Sequence, residues 1–389
     1  MFITLRDYIK KAKWNLTQNS FQNLLWLIDL LPTVCGFSYF SSKVKVSFWI
    51  FTILPAIYIH LTGALVYQIR YSNGFIDTAN SYFNILLFII ICNCSRWLMF
   101  ERKGLCKVLE LLKRNNDMTM QFANSNEKLK KIMKYLKTIV LICYIFHFVN
   151  EVLIYLPKRI AEIEDFSIIP CVGLEPMSKS PNKEICQALL ITHGIVGIIV
   201  TVCYDVTFLF LFGYTASMFV ILKEETMYLN VKDDGAHRQE FTRTVANRLK
   251  NIIIRHSLTL HTVENIQNIY NFCIGVTFGL DAITMCLFFV LPFGVVLNFA
   301  PLLIHNLLTF FLYCYQGQKI TSAAERFEMA VYCCGWENFN VKEQKMILIM
   351  LRQSQKPVII NSACVVPICI YTFACTMQAI YKFVATFKT

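Results

Sequence analysis

The chain has 389 residues, of which 56% are hydrophobic, 14% aromatic and only 16% charged, too few charges to cover a soluble globular surface. Its net charge of +12 does not mark a nucleic-acid binder, because the Lys and Arg residues cluster between apolar runs, as on the cytoplasmic face of a membrane protein. Most of the 16 cysteines fall in apolar runs or basic segments and read as small free thiols, not a disulfide framework.

From the start, Met1 to Gln22 lacks the apolar core and small-residue site of a cleavable signal peptide. Leu24–Phe40 carries Asp29 and Pro32 and reads as a cytoplasmic helix leading to the first span. Runs long enough for a bilayer, roughly 20 apolar residues, follow at Ser47–Ile69, Thr78–Ser95 and Tyr135–Leu156. Ile185–Leu222 has 38 residues and a single charge, Asp205. No strong turn signal interrupts it, so the preferred reading is one long helix projecting beyond the membrane. Pro292-Phe293-Gly294 divides the next apolar stretch into Ile269–Leu291 and Phe299–Gln318, and Pro357–Tyr381 completes seven spans.

Orientation follows from the loops. Thirty of the 37 Lys and Arg lie on the side of the N-terminus, which places that side in the cytoplasm. Splitting Ile185–Leu222 in two would put the basic cluster Lys223–Arg255 outside. The expected fold is therefore an all-α membrane protein of seven transmembrane helices with a cytoplasmic N-terminus, an extracellular C-terminus, a long fourth helix and a cytoplasmic helical anchor region. Its parts are 1–46 (cytoplasmic segment), 47–222 (spans one to four), 223–268 (cytoplasmic loop and helix), 269–320 (spans five and six), 321–356 (anchor helix) and 357–389 (last helix).

This topology opposes a G-protein-coupled receptor, whose N-terminus is outside. No His-Glu-x-x-His, nucleotide loop or Ser–His–Asp order marks an enzyme, and His193, His237, His256 and His261 show no metal spacing, so neither a cofactor nor a metal is expected. No internal repeat supports a transporter of symmetric halves.

The C-terminal third reads Phe311-Leu312-Tyr313-Cys314, Gly317, Ser322, Ala330-x-Tyr332-x-x-x-Trp336, Arg352, Lys356-Pro357 and Ala379-Ile380-Tyr381-x-Phe383. In order and spacing this resembles the insect odorant receptor family, and the Arg255-His256 step and the long fourth run fit the same pattern. The sister gustatory family carries Thr-Tyr and a later Gln-Phe in its last span; here Ile380 precedes Tyr381 and no Gln-Phe follows. A gustatory-type channel and a non-channel membrane scaffold stay open as alternatives.

The resemblance implies an odorant-gated, poorly selective cation channel, a heterotetramer of odorant-binding subunits with a shared co-receptor, in the plasma membrane of olfactory sensory neurons. This chain matches the ligand-binding type, because its second cytoplasmic loop is short. The last span would line the pore at Thr376, Ile380, Phe383 and Val384, with Val384 at the family's apolar constriction. Tyr332, Trp336, Leu348 and Leu351 on the cytoplasmic helix Glu325–Gln353 would join subunits.

The ligand, a small volatile odorant, is expected in the outer half of the bundle. Depth along the spans selects Asn80, Tyr82, Phe83 and Leu86 on span two, and Phe146, His147, Asn150, Glu151 and Tyr155 on span three. Span four offers His193 and Gly197, which with Thr201 and Asp205 form a polar stripe that should avoid lipid. Ile274 and Phe278 on span five, and Leu302 and His305 on span six, complete the walls. For Asp205 and Asp281 a structural role is the preferred reading, with contact to the pocket left open. Cys171 and Cys186, on the oxidising side, are candidates to pair, with the unpaired state equally open.

Overall fold

A computed structural model of the chain describes residues 5–388 except 35, 41–45, 64, 67–68, 70–74, 122, 161–170, 175–178, 231–237, 292–295, 298–299 and 364. The Pro292-Phe293-Gly294 turn falls outside the described residues. The described elements are almost all helical. Two amphipathic helices, α1 (Leu5–Thr17) and α2 (Phe21–Val34), precede the first span. Asp29 of α2 turns the chain: its carboxylate accepts from Ser38 Oγ at 2.7 Å and from the Tyr39 amide at 2.6 Å.

The first span, α3 (46–63), mixes ordinary and wide turns. The Leu54 amide donates to Trp49 O, five residues back, and Pro55 next to it has no N–H to give, so the regular ladder cannot run through. The second span lies in α4 (Phe75–Phe100), continued after a turn by α5 (Arg102–Met120), and the third in α6 (Ala123–Ile160).

The long uncharged run forms a single helix, α7 (Asn182–Met227), of 46 residues. At about 1.5 Å per residue it is about 69 Å long, more than twice the roughly 30 Å hydrocarbon core. Residues 202–216 are buried on every side, as expected of a helix apolar all round. α7 is the hub against which α6 and α9 pack. Gly213 permits the close approach of α6: a β-carbon there would lie 2.7 Å from Leu136 Cδ2.

The fifth span is the outer part of α8 (Arg238–Val290), a helix of 53 residues that runs unbroken from the cytoplasmic segment, so the expected boundary at 268/269 is not a structural one. Trp97 Nε1 donates to Ile269 O at 3.0 Å and Asn93 Nδ2 to Cys273 O at 3.0 Å, fixing α4 on α8. Among the described residues three stretches are long and apolar enough to cross a membrane unaided: Ser125–Asn150, Asn182–Met227 and Thr244–Phe289.

The cytoplasmic ends are tied by a buried cation. Arg255, fully buried on α8, donates from Nη1 to Glu225 Oε2 of α7 at 2.5 Å and from Nε to Asn115 Oδ1 of α5 at 3.4 Å. Asn115 Nδ2 donates in turn to Thr259 Oγ1 at 2.9 Å, and Ser125 Oγ of α6 donates to Glu225. Four helices meet in this one network. His256 beside it packs at a tilt on Phe327, with ring centroids 4.6 Å apart.

Two expected helices are corrected. The anchor region is not one helix over Glu325–Gln353. The sixth-span helix α9 (Ala300–Tyr332) runs on into the cytoplasm, then breaks at Gly335. That residue has φ 74°, a conformation glycine tolerates, and a β-carbon on it would meet Asn230 Nδ2 at 2.3 Å. A single turn, Trp336–Asn338, and α10 (Val341–Ser354) follow, so Trp336 sits in a turn.

The second correction is the seventh span. Its first half is extended: β1 (Asn361–Ser362) pairs antiparallel with β2 (Val366–Pro367), and the helix, α11 (Ile370–Lys388), begins only at Ile370. Exposed backbone polar groups are costly away from water, and here neighbouring helices satisfy them. Gln267 both donates to Asn361 O at 2.7 Å and accepts from its amide at 2.6 Å, while Thr321 Oγ1 donates to Val358 O at 2.9 Å. Gly317 of α9 exists for this segment: a β-carbon there would sit 2.0 Å from Ile368 O.

Candidate functional site

Between α4, α6, α7, α8 and α9 lies a cavity of about 140 Å³. By the charge-based orientation it sits in the outer half of the bundle, near the outer ends of α6 and α7 and the start of α9. Leu87, Ile90, Ile91 and Cys94 of α4 form one wall; His193, Gly194, Gly197, Ile198, Thr201, Tyr204 and Asp205 of α7 form another. α6 adds His147 and Asn150, α8 adds Thr277 and Asp281, and α9 adds Leu302, His305, Asn306, Thr309 and Tyr313.

The polar lining is organised around Asp205. Its Oδ2 lies 3.0 Å from His147 Nε2, and its Oδ1 accepts the hydroxyl of Tyr313. Asp205 is thus held from α6 and α9 at once. His305 meets His147 edge-on at 4.8 Å between ring centroids and stacks on Phe146 at 5.6 Å. Asp281, 4% exposed, keeps Oδ2 without a hydrogen-bond partner among the described residues. A chamber of apolar walls with a few fixed polar groups is how proteins hold small molecules.

Of the residues anticipated from the sequence, His147, Asn150, His193, Gly197 and Leu302 come together on this cavity, as does His305. Phe146 stands behind His305. Phe83 instead packs on Phe288, with ring centroids 4.8 Å apart, in a separate cluster, and Tyr82 is half exposed. Leu86 is not part of the lining; span two presents the neighbouring face that carries Leu87 and Cys94. Ile274 and Phe278 are buried in helix packing, and span five reaches the cavity through Thr277 and Asp281. The side chains of Asn80, Glu151 and Tyr155 lie outside the described set. Asp205 and Asp281, whose part in the pocket the sequence left open, both line the cavity.

Cys171 and Cys186 are joined in a disulfide, Cα–Cα 5.9 Å, that ties the outer loop to the first turns of α7. Tyr58 of α3 donates to Val172 O at 2.6 Å and closes the same corner. On α11, Ile380 is buried and, with Phe373, Met377 and Val384, packs into the chain's own core, so it does not face a channel. Thr376 is half buried and Phe383 exposed. The outward face carries Tyr371, Cys375, Gln378 and Lys382. Tyr332, Trp336 and Leu348 are exposed, whereas Leu351 leans on the core. A second hollow, about 530 Å³ and lined by Lys128, Glu224, Glu225 and Arg248 among others, opens on the cytoplasmic side and has the charge of a water-filled groove.

The fold and its cavity define a polytopic helical membrane protein with a ligand-sized chamber. The model of the seven-transmembrane odorant receptor family matches residues 72–381, and the chain belongs to that family. Odorant receptor 19a of Drosophila melanogaster is 33% identical over 70 residues, 18% of each chain. Odorant receptor 85b of the same fly is 23% identical over 148 residues, 36% of this chain and 37% of that one. The chain spans 40% or less of the length of these and the other Drosophila receptors compared. In three dimensions it resembles the insect olfactory receptor OR5 from Machilis hrabei, solved in complex with eugenol, with a TM-score of 0.73, 16% identity and 98% of both chains covered. At that identity the likeness carries the fold.

Proposed function

We propose that the chain is the ligand-binding subunit of an odorant-gated, non-selective cation channel, placed with a co-receptor in a heterotetramer in the dendritic plasma membrane of olfactory sensory neurons. The observation that carries this reading is the cavity among spans two to six, set in a chain of the odorant receptor family. Its about 140 Å³ compares with a cavity of about 150 Å³ that takes up benzene, so the ligand is of about one ring. His147, Asn150, His193, Gly197 and Leu302 contact it, joined by Thr277, Asp281 and Tyr313. Eugenol, bound by the Machilis receptor, is a ligand of this general kind.

The pore falls to α11. Polar side chains are expensive against lipid, and Gln378 and Lys382 share the exposed face with Tyr371 and Cys375. This face, with Phe383 near its outer end, lines the channel, in place of the face that carries Ile380. Val384, which packs on its own subunit, steadies that end from behind. The exposed Tyr332, Trp336 and Leu348 lie on the cytoplasmic side, where large apolar groups need a protein partner.

The deciding experiment is expression in a non-neuronal cell with and without the co-receptor, recording cation current under a broad panel of ring-sized volatiles. Ligand-evoked current only with the co-receptor is expected. Absence of current in both conditions, with the chain at the surface, would refute the channel reading.

A further inference from the structure

Three cavity side chains converge in a manner that odorant binding does not require. His147 on α6, Asp205 on α7 and His305 on α9 each bring one ligand-capable atom within 4.8 Å of the other two. We propose that this triangle binds one divalent transition-metal ion, Zn²⁺ or Cu²⁺.

Two imidazoles and a carboxylate with a further position open form a recurrent donor set for such ions. With bonds of roughly 2.0–2.1 Å, tetrahedral neighbours stand about 3.3 Å apart. His147 Nε2 and Asp205 Oδ2 are already 3.0 Å apart. His305 closes the remaining gap by side-chain rotation. The surroundings match a metal site as well. Tyr313 donates its hydroxyl to Asp205 Oδ1, the oxygen that does not face His147, and ligating carboxylates are commonly held by such an outer bond. His305 Nδ1 is buried without a hydrogen-bond partner among the described residues. Such an orphan nitrogen in a membrane interior is relieved when its ring coordinates. Asn150 and Asn306 line the same cavity, and water or a donor atom of a bound molecule would complete the shell.

The proposal stands independently of gating, because it is read by binding. Purified full-length protein in nanodiscs is stripped with chelator and titrated with Zn²⁺ by calorimetry, with bound zinc counted by mass spectrometry. One zinc per chain is expected. Tyr313→Phe, which keeps all three ligands, weakens binding by about 10–100-fold. His305→Ala abolishes it, and His305→Cys retains a site that now prefers Cd²⁺. His261→Ala, at an exposed histidine beside Glu264, leaves binding unchanged. Failure of the wild type to bind zinc overturns the proposal, as does zinc held equally by a folded His305→Ala protein. If that variant misfolds, unaltered affinity in Tyr313→Phe and unaltered metal preference in His305→Cys overturn it instead.

Discussion

Gly194 lies on the cavity wall, and a β-carbon added there meets no atom within 4 Å. Gly194→Val therefore places a branched three-carbon side chain on the wall of the chamber of about 140 Å³, with its β-carbon clear of every neighbour. Helix stability does not suffer, because glycine is among the poorest residues in a helix interior. A ligand that fills the cavity must surrender burial equal to about three methylene groups, at roughly 0.8 kcal/mol each. The expected loss is about 2.4 kcal/mol, or roughly 50-fold in half-saturating concentration. Dose–response currents from cells carrying the co-receptor measure it: ring-sized ligands shift to higher concentration, while ligands of only a few carbons keep or improve their potency. Gly279→Val is the control. Gly279 is exposed on α8, also has nothing within 4 Å, and does not line the cavity. A Gly194→Val receptor with normal surface expression and a shift below about threefold for every ring-sized agonist would show that the ligand sits elsewhere.

Cys171→Ser opens a disulfide of sequence separation 15, which costs about 3 kcal/mol of folding stability; surface biotinylation should fall, and unchanged surface level and melting temperature would contradict this. Arg255→Met removes the donor to Glu225 Oε2 and to Asn115 Oδ1, while Ser125 still donates to Glu225. Because Glu225 is 19% exposed, water recovers part of a loss of ~1.5–3 kcal/mol per charged hydrogen bond, so about 2 kcal/mol net is expected. Melting in detergent reads the loss, and Arg255→Met with Glu225→Gln should be more stable than Arg255→Met alone. Lys382→Glu on the outward face of α11 should raise Ca²⁺ permeability relative to Na⁺ in reversal-potential measurements; an unchanged ratio would turn that face toward lipid. Phe373→Ala removes the α11 ring that sits 5.4 Å from both Phe310 and Phe311 of α9, and maximal current should fall at unaltered surface expression.

Much of the architecture was legible because charge and length carry strong physical penalties in a bilayer. The Lys223–Arg255 cluster decided that Ile185–Leu222 is one helix, and α7 is one. The polar stripe His193–Gly197–Thr201–Asp205 had to avoid lipid, and all four residues reach the cavity. The faces of α4 and α8 were not legible. On α4, Phe83 and Leu86 differ too little in hydropathy from Leu87 and Ile91 for composition to say which side turns inward. On α8 the apolar Ile274 and Phe278 read as wall residues, where the polar Thr277 and Asp281 face the cavity. Pro357–Tyr381 misled for a related reason: hydropathy reports burial and not conformation, and its extended half is sustained by Gln267 and Thr321, distant in sequence. The break at Gly335 did have a local signal, a glycine after Cys333-Cys334 that ends the helical run. The His147–Asp205–His305 triangle had none, since its members lie on three helices with no common spacing.

The same three-helix convergence bears on how a small ligand could move a pore. α11 packs on α8 and α9, and these two helices also supply Thr277, Asp281, His305 and Tyr313 to the cavity. A molecule that wedges between α7 and α9 therefore acts on a helix whose next residues, Phe310 and Phe311, hold Phe373 of α11. Moving an equilibrium from mostly closed to mostly open takes a difference of about 5.5 kcal/mol in affinity between the two states. At a best case of about 1.5 kcal/mol per heavy atom, falling toward 0.3 for larger ligands, a ring-sized molecule in one subunit can supply that only if most of its binding energy discriminates between the states. The tied-down Asp205, held by His147 and Tyr313 at once, is the part of the wall least able to adapt to both. It is there, on the seam between α7 and α9, that such discrimination has to arise.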